Sequence, residues 1–238
     1  MPNSAIRLLL LLLFTGIHFS FKTQSGFNKI QLDLTMRKVI KGKKVVLTGT
    51  VYCEKAGRMT THIKSPEEIV ILNNTKGDYT LYMPRTNEIL QENDYNLSSE
   101  TNTLYYFLFS NSNHTGLKDI GFTLSNTQYK GEYMITLWQP PAEMSSMIKE
   151  AELVYKNNVP VYLKYVNTKG KTTRKTYFYD YQKINYVNIP FSISEIAYFA
   201  DGDSSVEKTT FSNVKINNQV DENMLSYKIP ASAKLVKP

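Results

Sequence analysis

Between His62 and Leu90 the chain reads HIKSPEEIVILNNTKGDYTLYMPRTNEIL, three short extended runs separated by turn residues. Ser65-Pro66, Asn74-Thr75-Lys76-Gly77-Asp78 and Pro84-Arg85-Thr86-Asn87 divide them. Runs this short and this close read as a meander of antiparallel strands. The middle run, Ile69-Val70-Ile71-Leu72, is apolar on both faces, and Tyr79-Thr80-Leu81-Tyr82-Met83 is nearly so. A meander usually shows one face to water, so something must lie against the second face of this sheet.

The rest of the chain extends the pattern. Ile30, Leu32, Leu34 and Met36 alternate over 28–38, Val45 to Cys53 follows the Lys41-Gly42-Lys43 turn, and Arg58 to Lys64 follows Ala56-Gly57. Gly49, in the middle of the second run, marks a bulge or a close approach. Strand patterns return at 120–128, 131–138, 150–156, 159–167, 171–182, 190–200, 205–216 and 224–229. Asn157-Asn158 and Lys169-Gly170 are hairpin turns. One stretch breaks the rhythm. In SSETNTLYYFLFSN, Ser98 or Ser99 can cap a helix over 99–110 with Leu104, Tyr105, Phe107 and Leu108 at helical spacing. About a dozen strands with no linker between them predict one domain, and so many twisted strands rarely stay flat. The expected fold is mainly β, a curved sheet with short helices laid on it.

Residues 1–25 carry one early positive charge at Arg7 and a solid apolar run from Leu8 to Phe14, with small residues at Thr23 and Ser25. That is an export signal, too short to span a bilayer, with cleavage expected after Ser25. Residues 26–238 form the mature domain. The 238-residue chain has 28 basic and 21 acidic side chains, a charge of +7. Without residues 1–25 it loses Arg7 and Lys22 and no acid, leaving 26 basic against 21 acidic and a charge of +5. One cysteine, Cys53, excludes an internal disulfide.

Catalytic chemistry has little support. His62 and His114 lie far apart without carboxylates at ligand spacing, and G-x-S-x-G, Gly-rich phosphate loops and H-E-x-x-H are absent from the sequence. Asp180 stands alone among tyrosines, and Asp201 and Asp203 lack the further ligands of a calcium loop. The expectation is no enzyme, no cofactor, no metal and no nucleic acid, but binding by shape and hydrophobicity.

GTVYCEKAGRMTTHIKSPEEIVILNNTKGDYTLYMPRTNEILQE, Gly49 to Glu92, resembles the front half of the periplasmic outer-membrane lipoprotein carrier (LolA-like) family. The shared features are a mid-strand Gly, an apolar strand closed by a Gly turn and an aromatic LY-x-P strand. MITLWQP resembles the strand before that family's central loop, and VDENMLSYKIPASAKLV, Val220 to Val236, its C-terminal signature. The resemblance implies an unclosed antiparallel half-barrel with a short helical lid. It also implies a periplasmic monomer that holds lipoprotein acyl chains or another lipid, with an inner-membrane release complex and an outer-membrane acceptor as partners. The other reading is a lipid-sensing or structural interaction domain of the same fold, bound to an envelope partner. The family's lid-holding Arg has no exact counterpart here; Lys55 falls at its position, and Arg58 is a stand-in.

Alternation then assigns faces. Met59, Thr61 and Ile63 form one set and should face the lipid, leaving Thr60 and His62 to water. Tyr79, Leu81 and Met83 form another, joined by either Ile69 and Ile71 or Val70 and Leu72; the first pair is adopted. On the helix, Leu104, Phe107 and Leu108 should face the cavity as its lid. Met36, Met59, Met83, Met134, Met144 and Met147 are expected along its walls, since Met fills irregular space.

Overall fold

The computed structural model describes residues 26–110 and 114–236. The expected export signal lies outside the described residues. Fourteen strands form a single sheet, in the order β14-β6-β5-β4-β3-β2-β1-β13-β12-β11-β10-β9-β8-β7. Its first half is the meander β1 (Lys29–Ile40), β2 (Lys43–Glu54), β3 (Met59–Ser65), β4 (Ile69–Asn73), β5 (Asp78–Met83) and β6 (Glu88–Asn93). Its second half is β7 (Thr123–Lys130), β8 (Tyr133–Gln139), β9 (Ile148–Lys156), β10 (Val159–Asn167), β11 (Thr172–Ile184), β12 (Val187–Tyr198) and β13 (Ser204–Ile216). The halves join where β1 pairs antiparallel with β13, from Ile30 opposite Ile216 to Ile40 opposite Ser205. β7 and the two-residue β14 (Lys234–Leu235) are the two outer edges and do not meet, so the sheet is unclosed.

Turn chemistry sets the registers. Lys41-Gly42 and Asn157-Asn158 both have two consecutive positive φ angles, the geometry that matches strand twist in two-residue hairpins. Asn185-Tyr186 does the same without a glycine. Gly49 meets both halves of its sequence reading: the β2–β3 ladder shifts register between Thr48 and Gly49, and the neighbouring strand passes very close. A Cβ on Gly49 would lie 2.3 Å from the His62 carbonyl oxygen and 3.0 Å from the Ile63 Cα. Both are backbone atoms that cannot swing away. Gly49→Ala is therefore expected to destabilise by about 1–3 kcal/mol through overpacking, read as a lower urea midpoint. An unchanged midpoint would show that the bulge has room to relax.

The chain leaves β6 at one side of the sheet and enters β7 at the opposite edge. The connection carries a 3₁₀ turn (Ser99–Thr101) and α1 (Thr103–Phe109) across the concave face. The helix is shorter than expected. Asn102, rather than Ser98 or Ser99, caps it, accepting from the amides of Leu104 and Tyr105. The Ser99 hydroxyl instead donates to the Gly57 carbonyl at 2.7 Å. Five consecutive residues, Leu104 to Leu108, are buried. Leu104, Tyr105 and Leu108 pack with Ile30, Leu32 and Phe191 in one core. Phe107 packs with Leu117, Phe122, Trp138 and Leu153 in another.

The convex face of β3–β5 is covered too, by the C-terminal segment. The expected strand at 224–229 begins instead in a helical turn, α2 (Glu222–Leu225), because Asp221 caps it by accepting from the amides of Asn223 and Met224. That turn drives Leu225 into full burial beside Tyr52 and Val220. The ring of Tyr227 lies 6.2 Å from that of Tyr82, and the segment ends as β14 on β6. Thr60, expected to face water, lies under it: the side chain is fully buried and its hydroxyl donates to the Leu225 carbonyl at 3.1 Å.

Candidate functional site

The other face of the same strands borders empty space. Alternation turns Met59, Thr61 and Ile63 of β3, Ile69 and Ile71 of β4 and Leu81 of β5 to the concave side, where they wall a cavity of about 560 Å³. On β4 it is Ile69 and Ile71 that border this space, while Val70 on the opposite face is fully packed. Leu34 and Met36 of β1 and Leu47 and Val51 of β2 continue the wall, and Ile193 and Phe211 complete it across the β1–β13 junction. Leu104 and Thr103, at the start of α1, close one side. Protein cores pack to a density near 0.75. A void this large is within the usual range of ligand pockets, about 300–1,000 Å³.

Carboxylates occur only where the wall approaches water. Glu67, Glu195 and Glu207 are partly exposed and ion-paired, with Arg85 at 2.8 Å, Arg174 at 3.6 Å and Lys38 at 3.1 Å. The interior is left to aliphatic and aromatic groups with Thr hydroxyls. Among the described residues, no group of three or more His, Cys, Asp or Glu could hold a metal ion. Burial raises the pKa of the Cys53 thiol beneath this wall, so the thiol stays protonated and unreactive. His62 and Glu68 pair at 2.8 Å on the outer side. Burial lowers the pKa of His114, which sits against the Tyr106 hydroxyl and the Trp138 ring.

Not every residue singled out by sequence reaches the cavity. Tyr79 and Met83 share the face of Leu81 by alternation but lie outside the wall. Phe107 points to the far side of α1, its ring 5.1 Å from Phe178 and 6.3 Å from Tyr181. Leu108 is spent in the first core. A helix apolar on all sides is buried on all sides, so spacing could not choose the face that meets the cavity. Of the six methionines, Met36 and Met59 line the wall; Met134 and Met144 pack on the second core, and Met147 is exposed.

The segment carrying α1 is fastened by main-chain oxygens. Tyr105 donates its hydroxyl to the Lys55 carbonyl at 2.9 Å, and Ser99 bonds Gly57 on the same β2–β3 turn. The Lys55 side chain is exposed. Arg58 reaches Glu54 at 3.2 Å and the hydroxyl of Ser226, so it ties down the C-terminal segment and makes no bond to α1. Sequence reasoning missed the wall residues of β12 and β13, whose alternation was visible but whose junction with β1 joins positions some 180 residues apart. It also missed Tyr105 and Ser99, whose partners are backbone atoms and leave no residue signature.

Comparison with solved structures gives the same architecture. A DUF1329 family protein from Desulfovibrio piger superposes with a TM-score of 0.59 at 10% identity, covering 86% of this chain and 92% of the other. An outer membrane lipoprotein-sorting protein domain from Vibrio parahaemolyticus gives 0.58 at 12% identity, covering 85% and 91%. A LolA superfamily protein from Nitrosomonas europaea gives 0.56 at 11% identity, covering 83% and 90%. No family model matches the sequence, and no curated protein matches it. The chain has the LolA-like fold, an open β-barrel.

Proposed function

We propose that this protein is a lipid carrier of the bacterial periplasm, holding the acyl chains of a lipoprotein or of another lipid between the concave sheet and α1. It acts by binding and does no chemistry on its cargo. The observation that carries the reading is the apolar cavity of about 560 Å³ in a LolA-like sheet. Each methylene moved from water into such a space gains about 0.8 kcal/mol, which is the work an acyl carrier must do. The wall meets water at Glu67, Glu195 and Glu207, so cargo enters past a neutralised polar rim. Residues 1–25 supply the export address, and an inner-membrane donor complex and an outer-membrane acceptor are the partners such a monomer would need.

Ile71 tests this, since it lines the cavity without being fully buried. An unpaired charge in an apolar pocket costs several kcal/mol. Ile71→Glu is therefore expected to reduce uptake of a fluorescent acyl probe at least tenfold, with a melting temperature near that of the parent. Gln128→Glu, on exposed β7, should leave uptake unchanged. A parent that binds no probe would overturn the carrier reading in favour of an interaction domain of the same fold.

A further inference from the structure

Among the described residues, and unlike the convex face of β3–β5, no segment is laid over the convex face of β9–β13 where it continues onto the hairpin ends of β1 and β2. Ladder registers place its side chains in rows across the strands. One row runs Val46, Arg37, Lys208, Ser194, Tyr177, Tyr162. The next runs Lys44, Val39, Val206, Ile196, Lys175, Lys164, Glu152. Five cations and one carboxylate therefore share the two rows, and that carboxylate is taken by Lys164 at 3.0 Å. Among the described residues, the salt bridges include none to Arg37, Lys44, Lys175 or Lys208.

Two like-charged pairs stand directly opposite each other here: Arg37 against Lys208 and Lys164 against Lys175. Facing like charges destabilise a sheet. The second pair is relieved by Glu152, the first by no carboxylate. Between the cations lie exposed aliphatic groups, with Val39, Val46 and Val206 each 40–49% accessible. Tyrosines frame them. The Lys208 ammonium lies 5.3 Å from the centre of the Tyr179 ring and that of Lys175 5.6 Å from Tyr198.

We propose that this face docks on an anionic phospholipid surface. The charge complementarity is direct, because each Lys or Arg near an anionic leaflet contributes about fivefold in affinity. The valines separate this from a simple polyanion site. They can enter the headgroup boundary, and tyrosines with an apolar body and a polar tip are suited to the same depth. The two rows cross six and seven positions of paired strands, a breadth that suits a continuous surface better than a peptide. The inference stands on the outer face alone and does not require the cavity to hold lipid.

The test is flotation with vesicles of phosphatidylglycerol and phosphatidylcholine, against phosphatidylcholine alone. The parent should float only with the anionic vesicles, and less as salt is raised. The pair Lys175→Gln and Lys208→Gln together should bind about 25-fold more weakly, two fivefold factors combined. The control pair Lys76→Gln and Lys118→Gln, equal in charge and elsewhere on the surface, should bind like the parent. Lys208→Gln should melt no lower than the parent, since it removes a facing like charge, and acyl-probe uptake should be unchanged in all of these. Val206→Ser should weaken binding to vesicles but not to dextran sulfate. Equal losses in the two lysine pairs would overturn the proposal. So would a parent that ignores anionic vesicles, or a Val206→Ser that binds them as the parent does.

Discussion

Thr60→Glu is expected to lose about 3–5 kcal/mol of stability, the scale of an uncompensated buried charge. The position is fully buried between the convex face of β3 and the C-terminal segment. A glutamate there would strip the Leu225 carbonyl of its donor and place a carboxylate beside Leu225 and Leu72, both of which border the same outer cleft. The segment would lift, and β14 with it. Two companions separate charge from hydrogen bond. Thr60→Ser keeps the hydroxyl and should stay near the parent, whereas Thr60→Val leaves the carbonyl unsatisfied and should cost about 1–3 kcal/mol. Urea titration reads all three. A Thr60→Glu midpoint close to the parent would show that the C-terminal segment contributes little cover.

Phe107→Ala should cost a similar amount, about 3–5 kcal/mol, as large aromatic truncations in cores do. Its ring meets Phe178 and Tyr181 of β11 edge-on, and neither of those rings lines the cavity. The loss should therefore fall on the anchoring of the helix to the second half of the sheet. Acyl-probe binding measured well below the melting temperature should survive, because Leu104 still faces the wall. Loss of binding at full foldedness would instead make Phe107 part of the site.

These two expectations also show where the sequence stopped being legible. Alternation was enough to group Met59, Thr61 and Ile63 on β3 and Leu81 with its neighbours on β5, because side-chain direction in a strand is a local property, but on β4 it left Ile69 and Ile71 or Val70 and Leu72 open until the ladder registers were known. It was enough to see that two faces needed cover. It could not say what covers Thr60, since the partner lies 165 residues away. Residues 224–229 read as a strand because Leu225, Tyr227 and Ile229 alternate, yet Asp221 was already in place as a cap. Two amides at the Asp221 carboxylate outweigh a pattern of period two. On α1 the difficulty was of another kind: with Leu104 to Leu108 all apolar, no arc of the helix is distinguished, and only the positions of the two cores choose its orientation.

The junction of β1 with β13 has a consequence for how the molecule is made. Hairpins close short loops and can form as the chain emerges, since loop-closure entropy grows with the length enclosed. Leu34 cannot meet Phe211, nor Ile30 meet Ile216, until nearly the whole polypeptide is available. Until then β1 is a bare edge with Leu32, Leu34 and Met36 open to any passing strand. Contacts of such long sequence separation slow folding and lengthen exposure to aggregation. The same late seam carries Leu34 and Phe211 into the cavity wall. A half-made chain therefore has hairpins but no container, and the container appears only when the two ends of the meander find each other.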